Sequence, residues 1–167
     1  MEQIIIRKAT LNDLDELLVF EQGVIGTERP FDPTLKTGPT NYYDIGKMIA
    51  ATDVELLVAE SNGKLIGSGY ARIESAKPYL QHKLHAYLGF MYVVPEHRGM
   101  GVNKMIIDAL AAWSVSQDIT ELRLDVYDKN AAAIKAYERA GFTRHMVSMR
   151  SGLKRRPCNF RHPLLLS

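Results

Sequence analysis

The sequence predicts one α/β domain built on a mixed β-sheet with helices on both faces. Three observations carry that expectation. Strand-like and helix-like periods alternate through the second half of the 167 residues. An Asn62-Gly63 pair, the dipeptide favoured by two-residue hairpins, sits between two apolar runs in the middle. Residues 84–94 are apolar on both of their alternating faces, as a strand covered from both sides must be.

Each element follows in order. Residues 3–8 are rich in isoleucine and read as a strand. Thr10 offers a helix N-cap with Asp13 three positions on, close to a capping box. Leu11, Leu14, Leu17 and Leu18 recur at helical spacing and predict a first helix to about Glu21. Pro30, Pro33 and Pro39 interrupt residues 22–40, which read as a loop with at most a short helical turn. Residues 42–51 form a second helix of weak period. Residues 55–60 and 65–73 are strands joined through Ser61-Asn62-Gly63-Lys64. In the strand 84–94, Ala86, Leu88, Phe90, Tyr92 and Val94 are expected on one face and Tyr87, Met91 and Val93 on the other, with Pro95 as the stop. Val102, Met105, Ile106, Ala109, Leu110 and Trp113 trace one face of a helix over 101–116. Leu122, Leu124 and Val126 alternate in a further strand. Residues 130–140 are helical and end at Gly141. Residues 142–149 read as a last strand. No repeat or long linker divides the chain, so residues 1–150 are expected as a single domain and 151–167 as a basic extension.

Composition narrows the function. The chain carries 21 basic and 19 acidic side chains, a formal charge of +2, which argues against a polybasic nucleic-acid binder. Lys154, Arg155, Arg156 and Arg161 belong to the extension, so residues 1–150 hold 17 basic against 19 acidic groups and stand at −2. A single cysteine, Cys158, excludes an internal disulfide and a thiolate zinc site, and no metal is expected. The opening apolar run is three residues long and no stretch nears the ~18 apolar residues of a membrane span, so neither membrane attachment nor export is expected, and the location expected is cytoplasmic.

The junction Val93-Val94-Pro95-Glu96-His97-Arg98-Gly99-Met100-Gly101-Val102-Asn103-Lys104 joins a buried strand to a helix through a glycine turn. A helix start exposes unpaired N–H groups at the positive end of its dipole, and glycine lets backbone approach a phosphate. The P-loop pattern is absent, and the dinucleotide pattern fails at Lys104.

Arg98-x-x-Gly101 after a central strand resembles the acyl-CoA signature of the GCN5-related N-acetyltransferase (GNAT) superfamily, departing from it at Asn103, where glycine or alanine is usual. That side chain either narrows the approach to the pyrophosphate or adds a hydrogen bond of its own. A second block, Asn130, Ala133, Tyr137, Gly141 and Phe142, is similar to the superfamily's Asn-x-x-Ala-x-x-x-Tyr…Gly-Phe pattern at all five positions. The resemblance is close over the second half of the chain. It implies the GNAT fold, with strands 4 and 5 splayed apart, and transfer of an acetyl group from acetyl-CoA to a primary amine by direct attack in a ternary complex.

It also implies site residues. Arg98, Gly99, Met100, Gly101, Val102 and Asn103 would cradle the pyrophosphate through backbone N–H groups. Met91, Tyr92 and Val93 would pair with the pantetheine arm as a missing strand does. Asn130 and Ala133 would lie against the cofactor, and Tyr137 beside its sulfur as general acid. Asp125 is the candidate base, with Glu74, His85 and Tyr87 as further ones. The acceptor would be met by the first two helices, their loop and the loop before the fourth strand, with Glu21, Glu28, Arg29, Phe31, Asp32, Tyr42, Tyr43 and Asp44 among the residues there. Residues 1–50 hold eight acidic and five basic side chains, which suits a cationic small-molecule or peptide amine. A homodimer is compatible with this reading. The alternative is a non-catalytic acyl-CoA-binding regulatory module, against which the intact Asn130 and Tyr137 count.

Overall fold

The computed structural model describes residues 3–153. Cys158 and the extension's Lys154, Arg155, Arg156 and Arg161 lie outside the described residues. One five-stranded sheet has the order β1 (Ile4–Lys8), β2 (Val54–Ser61), β3 (Lys64–Ser75), β4 (Leu84–Val93), β5 (Leu122–Arg123). The first four strands pair antiparallel, while β4 and β5 pair parallel, so the sheet is mixed as expected. The β2–β3 hairpin turns on Asn62 and Gly63, both at positive φ, with Ser61 opposite Lys64.

Each face of the sheet is packed. Leu56, Val58, Tyr70 and Phe90 meet Leu17, Phe20 and Val24 of α1 (Leu14–Glu28) and Ile45 of α2 (Ile45–Ala50). Leu57, Ala59, Ala71 and Leu88 meet Ile106, Ile107 and Leu110 of α3 (Val102–Ser116), and Tyr137 and Ala140, at and just beyond the end of α4 (Ala131–Arg139), pack on this same side. Alternate residues of β2 thus serve opposite cores, which is the strand period made physical.

The structure corrects four boundaries. α1 runs to Glu28, seven residues beyond the expected end. Burying Leu17, Phe20, Val24 and Ile25 is worth about 1.5–3 kcal/mol each, which outweighs about 1 kcal/mol for each of Gly23 and Gly26 inside a helix. α2 begins at Ile45 because Asp44 caps it, accepting from the Lys47 N–H at 3.2 Å, so Tyr42 and Tyr43 precede it in the loop. The strand expected through Leu124 and Val126 is only two residues long. The strand expected over 142–149 is absent, and Met146, Val147 and Met149 stand exposed. A two-residue β5 offers no ladder for a further strand to extend.

The face assignment in β4 also changes midway. Ala86 and Leu88 face α3 as one set, but Phe90 and Tyr92 face α1, while Met91 and Val93 turn to the α3 side. Phe90 has φ +55°, and two residues of β4 stand opposite Gly69 where the β3 register shifts. This is a β-bulge, and one inserted residue exchanges the faces of all that follow. Ser68 Oγ holds the bulge by donating to the Phe90 carbonyl at 3.0 Å.

Candidate active site

β4 and β5 touch only at Ala86 opposite Leu122 and Tyr87 opposite Arg123. Beyond that point they diverge, and among the described residues no strand covers this edge of β4 through Met91, Tyr92 and Val93. The divergence opens a notch of about 90 Å³. Its walls are Tyr87 and the bulge segment of β4, Leu124 and Asp125 after β5, Tyr137 of α4, and Val24, Glu28 and Tyr43 from the α1 side.

At the far end of β4, a 3-10 turn over Pro95–His97 leads to Gly99 and Gly101, at φ +76° and +84°. A side chain with a Cβ is strained at such values, so the glycines set this turn's shape. Gly101 is the N-cap residue of α3 and brings no side-chain cap to the first N–H groups. The turn is exposed from Arg98 to Gly101, whereas the Val102 side chain is core, leaving only its backbone to face outward; Asn103 is partly exposed. Arg98 folds back: its Nε donates to the Val93 carbonyl at 3.0 Å and its guanidinium lies 5.9 Å from the Tyr92 ring centre. Lys104 pairs with Asp108 at 2.6 Å.

The second sequence block is a pair of helix caps around Tyr137. Asn130 is the N-cap of α4, its Oδ1 accepting from the Ala133 N–H at 3.2 Å. At the other end the Phe142 N–H donates to the Tyr137 carbonyl at 3.0 Å and the Gly141 N–H to the Glu138 carbonyl at 3.1 Å. With Gly141 at φ +96°, this is a Schellman motif. Its usual apolar contact is made by the rings of Phe142 and Tyr137, 6.0 Å apart and edge to face. The cap therefore fixes where Tyr137 points. Its phenol is pushed up to about 12, first by burial and then by the charge of Glu28, and stays protonated at neutral pH.

Asp125 is exposed at the notch mouth, where its carboxylate accepts from the Tyr87 hydroxyl at 3.3 Å. Burial, then the charge of Asp125, raises the Tyr87 phenol. Glu74 and His85 are not in the notch: Glu74 pairs with Arg72 and stands 3.6 Å from His85 at the opposite end of the β3–β4 ladder. The fully buried Glu21 is structural. Its carboxylate accepts from the N–H groups of Tyr42 and Tyr43 at 2.6 and 2.8 Å and from Asn41 Nδ2 at 2.7 Å, holding the loop that lines the cleft.

Glu28 is the residue whose position the sequence reading missed. It was expected in a loop, and the extension of α1 carries it into the notch wall. The signal was present, since Val24 and Ile25 continue the helical spacing of Leu17 and Phe20. Among the described residues no group of three or more metal-ligating side chains is assembled.

An open strand edge thus ends at a glycine turn, with a capped tyrosine across the gap. The model of the acetyltransferase (GNAT) family matches residues 20–142, and the chain belongs to that family. It is 30% identical over 95 residues to a mycothiol acetyltransferase of Thermobispora bispora, covering 55% of this chain and 31% of that protein. It is 38% identical over 55 residues to the thialysine N-epsilon-acetyltransferase of Bos taurus, covering 33% and 32%. The chain thus spans about a third of the length of the curated relatives it matches. Among solved structures, a mutant of the BH1408 protein from Bacillus halodurans superposes with a TM-score of 0.81 at 20% identity, covering 90% of this chain and 99% of that one. A predicted acetyltransferase from Clostridium acetobutylicum, solved with acetyl-CoA, gives 0.65 at 20% identity, covering 90% and 96%.

Proposed function

We propose that the protein transfers the acetyl group of acetyl-CoA to a primary amine, by direct attack of the amine on the thioester while both are bound. The observation that carries this is the notch: Tyr137 and the uncovered edge of β4 line one gap that leads to the glycine turn. The pantetheine arm pairs with Met91, Tyr92 and Val93 along that edge. Backbone N–H groups from Arg98 to Asn103 hold the pyrophosphate where α3 starts, with Asn130 and Ala133 alongside. Asn103 is partly exposed there, and its side chain either narrows the approach to the phosphates or adds a hydrogen bond to them.

An amine attacks only when neutral, and the departing thiolate is stabilised by a proton or a hydrogen bond. Tyr137 supplies the second need. A phenol near 12 is more basic than a thiol near ~8.5, so its contribution is a strong hydrogen bond to the developing sulfur charge, with the proton following as the bond breaks. The first need falls to a carboxylate. Asp125, expected from the sequence to take the amine's proton through water, stands at the mouth with Glu28 deeper in. Together they draw in a cationic acceptor, small-molecule or peptide, which the aromatic walls suit.

The test is acetyl-CoA consumption against a panel of amines. Tyr137→Phe is expected to lower kcat by about 10²-fold or more with the Kd for acetyl-CoA unchanged. Equal turnover in both forms removes Tyr137 from the chemistry. Binding of acetyl-CoA without turnover on any amine replaces this reading with a regulatory module.

A further inference from the structure

We propose that Glu28 is the catalytic base: its carboxylate takes the proton of the acceptor's ammonium inside the notch between β4 and β5. The inference rests on the acetyl-transfer reading above and names the group that reading leaves open.

Three observations place it. Glu28 lines the same notch as Tyr137, on the opposite wall, so an amine between them reaches both. Its setting is one that folding alone disfavours. It occupies the last turn of α1, at the negative end of the helix dipole. It is half-buried, and no cation pairs with it among the described residues. The neighbouring cation, Arg29, is turned away and donates to the carbonyls of Lys36 and Gly38. Finally, the buried Tyr42 hydroxyl faces Glu28 from the loop, with Glu28 as its one polar neighbour among the described residues. An ammonium on Glu28 would bring that hydroxyl an N–H donor.

The groups facing Glu28 come from every wall: Tyr42 and Tyr43 from the loop before α2, Tyr87 from β4, Asp125 and Tyr127 from the segment after β5, and Tyr137 from α4. Asp32 lies beyond Tyr127, which donates to it at 3.4 Å, and is itself paired with Arg150. All but Arg29 and the committed Arg150 are phenols or carboxylates, so no cation favours the charged form of Glu28, and the Tyr42 hydroxyl, which does favour it, is outweighed by burial. Burial raises its carboxyl above the ordinary glutamate range, which brings a base closer to the pH at which it works. Asp125 lies exposed and is held by Tyr87.

The step balances. The ammonium gives one proton to the Glu28 carboxylate. The neutral nitrogen forms the C–N bond to the acetyl carbon, the C–S bond breaks, and the sulfur takes the Tyr137 proton. The amide N–H proton lost on acylation restores the phenol through water, and Glu28 releases its proton to solvent. The products are the acetamide, CoA thiol and one proton.

The experiment compares wild type, Glu28→Gln, Glu28→Asp and Asp125→Asn on the best acceptor from a panel of an alkyl diamine, an amino sugar, a lysine analogue and a peptide N-terminus. Glu28→Gln is expected to lose about 10²-fold in kcat together with the acid limb of the pH–rate profile, while acetyl-CoA binding is kept. Glu28→Asp recovers part of the rate, and Asp125→Asn keeps the acid limb. A weakly basic amine, neutral at the assay pH, narrows the gap between Glu28→Gln and wild type. A raised carboxyl also means that the charged form is disfavoured by folding, so at neutral pH Glu28→Gln is expected to melt no lower than wild type. A Glu28→Gln enzyme that keeps kcat and its acid limb and only raises the acceptor KM overturns the proposal and leaves Glu28 a binding group. So does loss of the acid limb in Asp125→Asn instead. If no amine is turned over, the underlying reading fails and the base assignment falls with it, whereas an unimpaired Tyr137→Phe removes only the tyrosine and leaves the Glu28 arms to decide.

Discussion

Both oxygens of the buried Asp13 carboxylate are committed. They accept two N–H bonds from the Arg7 guanidinium at 2.9 Å each, and Oδ2 also accepts from the Thr10 N–H at 2.7 Å. Arg7 in turn reaches Glu60 on β2 at 2.8 Å, so one cluster ties β1, β2 and the entry to α1. The bond to Arg7 holds the Asp13 carboxyl down at about 2 against an ordinary 3.8. A lowered folded value means the stabilisation is full above about pH 4 and lost as pH falls toward 2. Its size is on the order of 2 kcal/mol. Asp13→Asn is therefore expected to lower stability at pH 7 by about that amount, and the difference from wild type in urea unfolding should shrink below pH 3. A gap that stays constant with pH would show that the charge of Asp13 contributes nothing.

Among the elements, α4 is the one whose caps place chemistry. Asn130 closes its start and the Gly141–Phe142 cap closes its end, so Tyr137 sits at the third position before a fixed stop. Asn130→Ala is expected to cost about 1 kcal/mol of stability, and Asn130→Asp to restore most of it, because a carboxylate also accepts from the Ala133 N–H. The KM for acetyl-CoA separates two roles. If Asp restores stability but not KM, the Asn130 amide touches the cofactor directly. If it restores both, Asn130 serves through the helix alone. The sequence displayed this element fully, because its signals are local: a capping side chain, a helical stretch and a C-terminal glycine. At the end of α1 the signals conflict: Val24 and Ile25 keep the helical period while Gly23 and Gly26 argue against helix, and the burial of Phe20, Val24 and Ile25 decides. Local signals misled for residues 142–149, whose alternation reads as a strand but finds no edge to pair with.

For the molecule as a whole, two cores share one sheet, so neither helix layer can leave without exposing strand residues. The notch is the place where that sheet is incomplete. A ligand that fills the gap binds only the folded state, and CoA at 100 times its Kd is expected to stabilise by about 2.7 kcal/mol. For a chain of this size that is a rise of roughly 5–10 °C in Tm. Pantetheine without the phosphates should give a smaller shift if the glycine turn holds them, and an equal shift would deny the turn that role. No helix among the described residues is long and apolar enough to cross a membrane.

Much of the site was legible because its parts are coded locally. The glycine turn needs positive φ at Gly99 and Gly101, the hairpin needs Asn62-Gly63, and Tyr137 stands between caps that any reader of the chain can mark. The sequence by itself therefore determined the family, the mixed sheet and the local form of the glycine turn and of α4. What only the tertiary structure decided is which distant groups meet. The bulge at Phe90 exchanges the faces of β4, the two-residue contact with β5 opens the notch, and the extended α1 delivers Glu28 to the wall facing Tyr137. These outcomes depend on packing between segments far apart in the chain, as Glu28 and Tyr137 are, and packing energies of several kcal/mol override local preferences of about one.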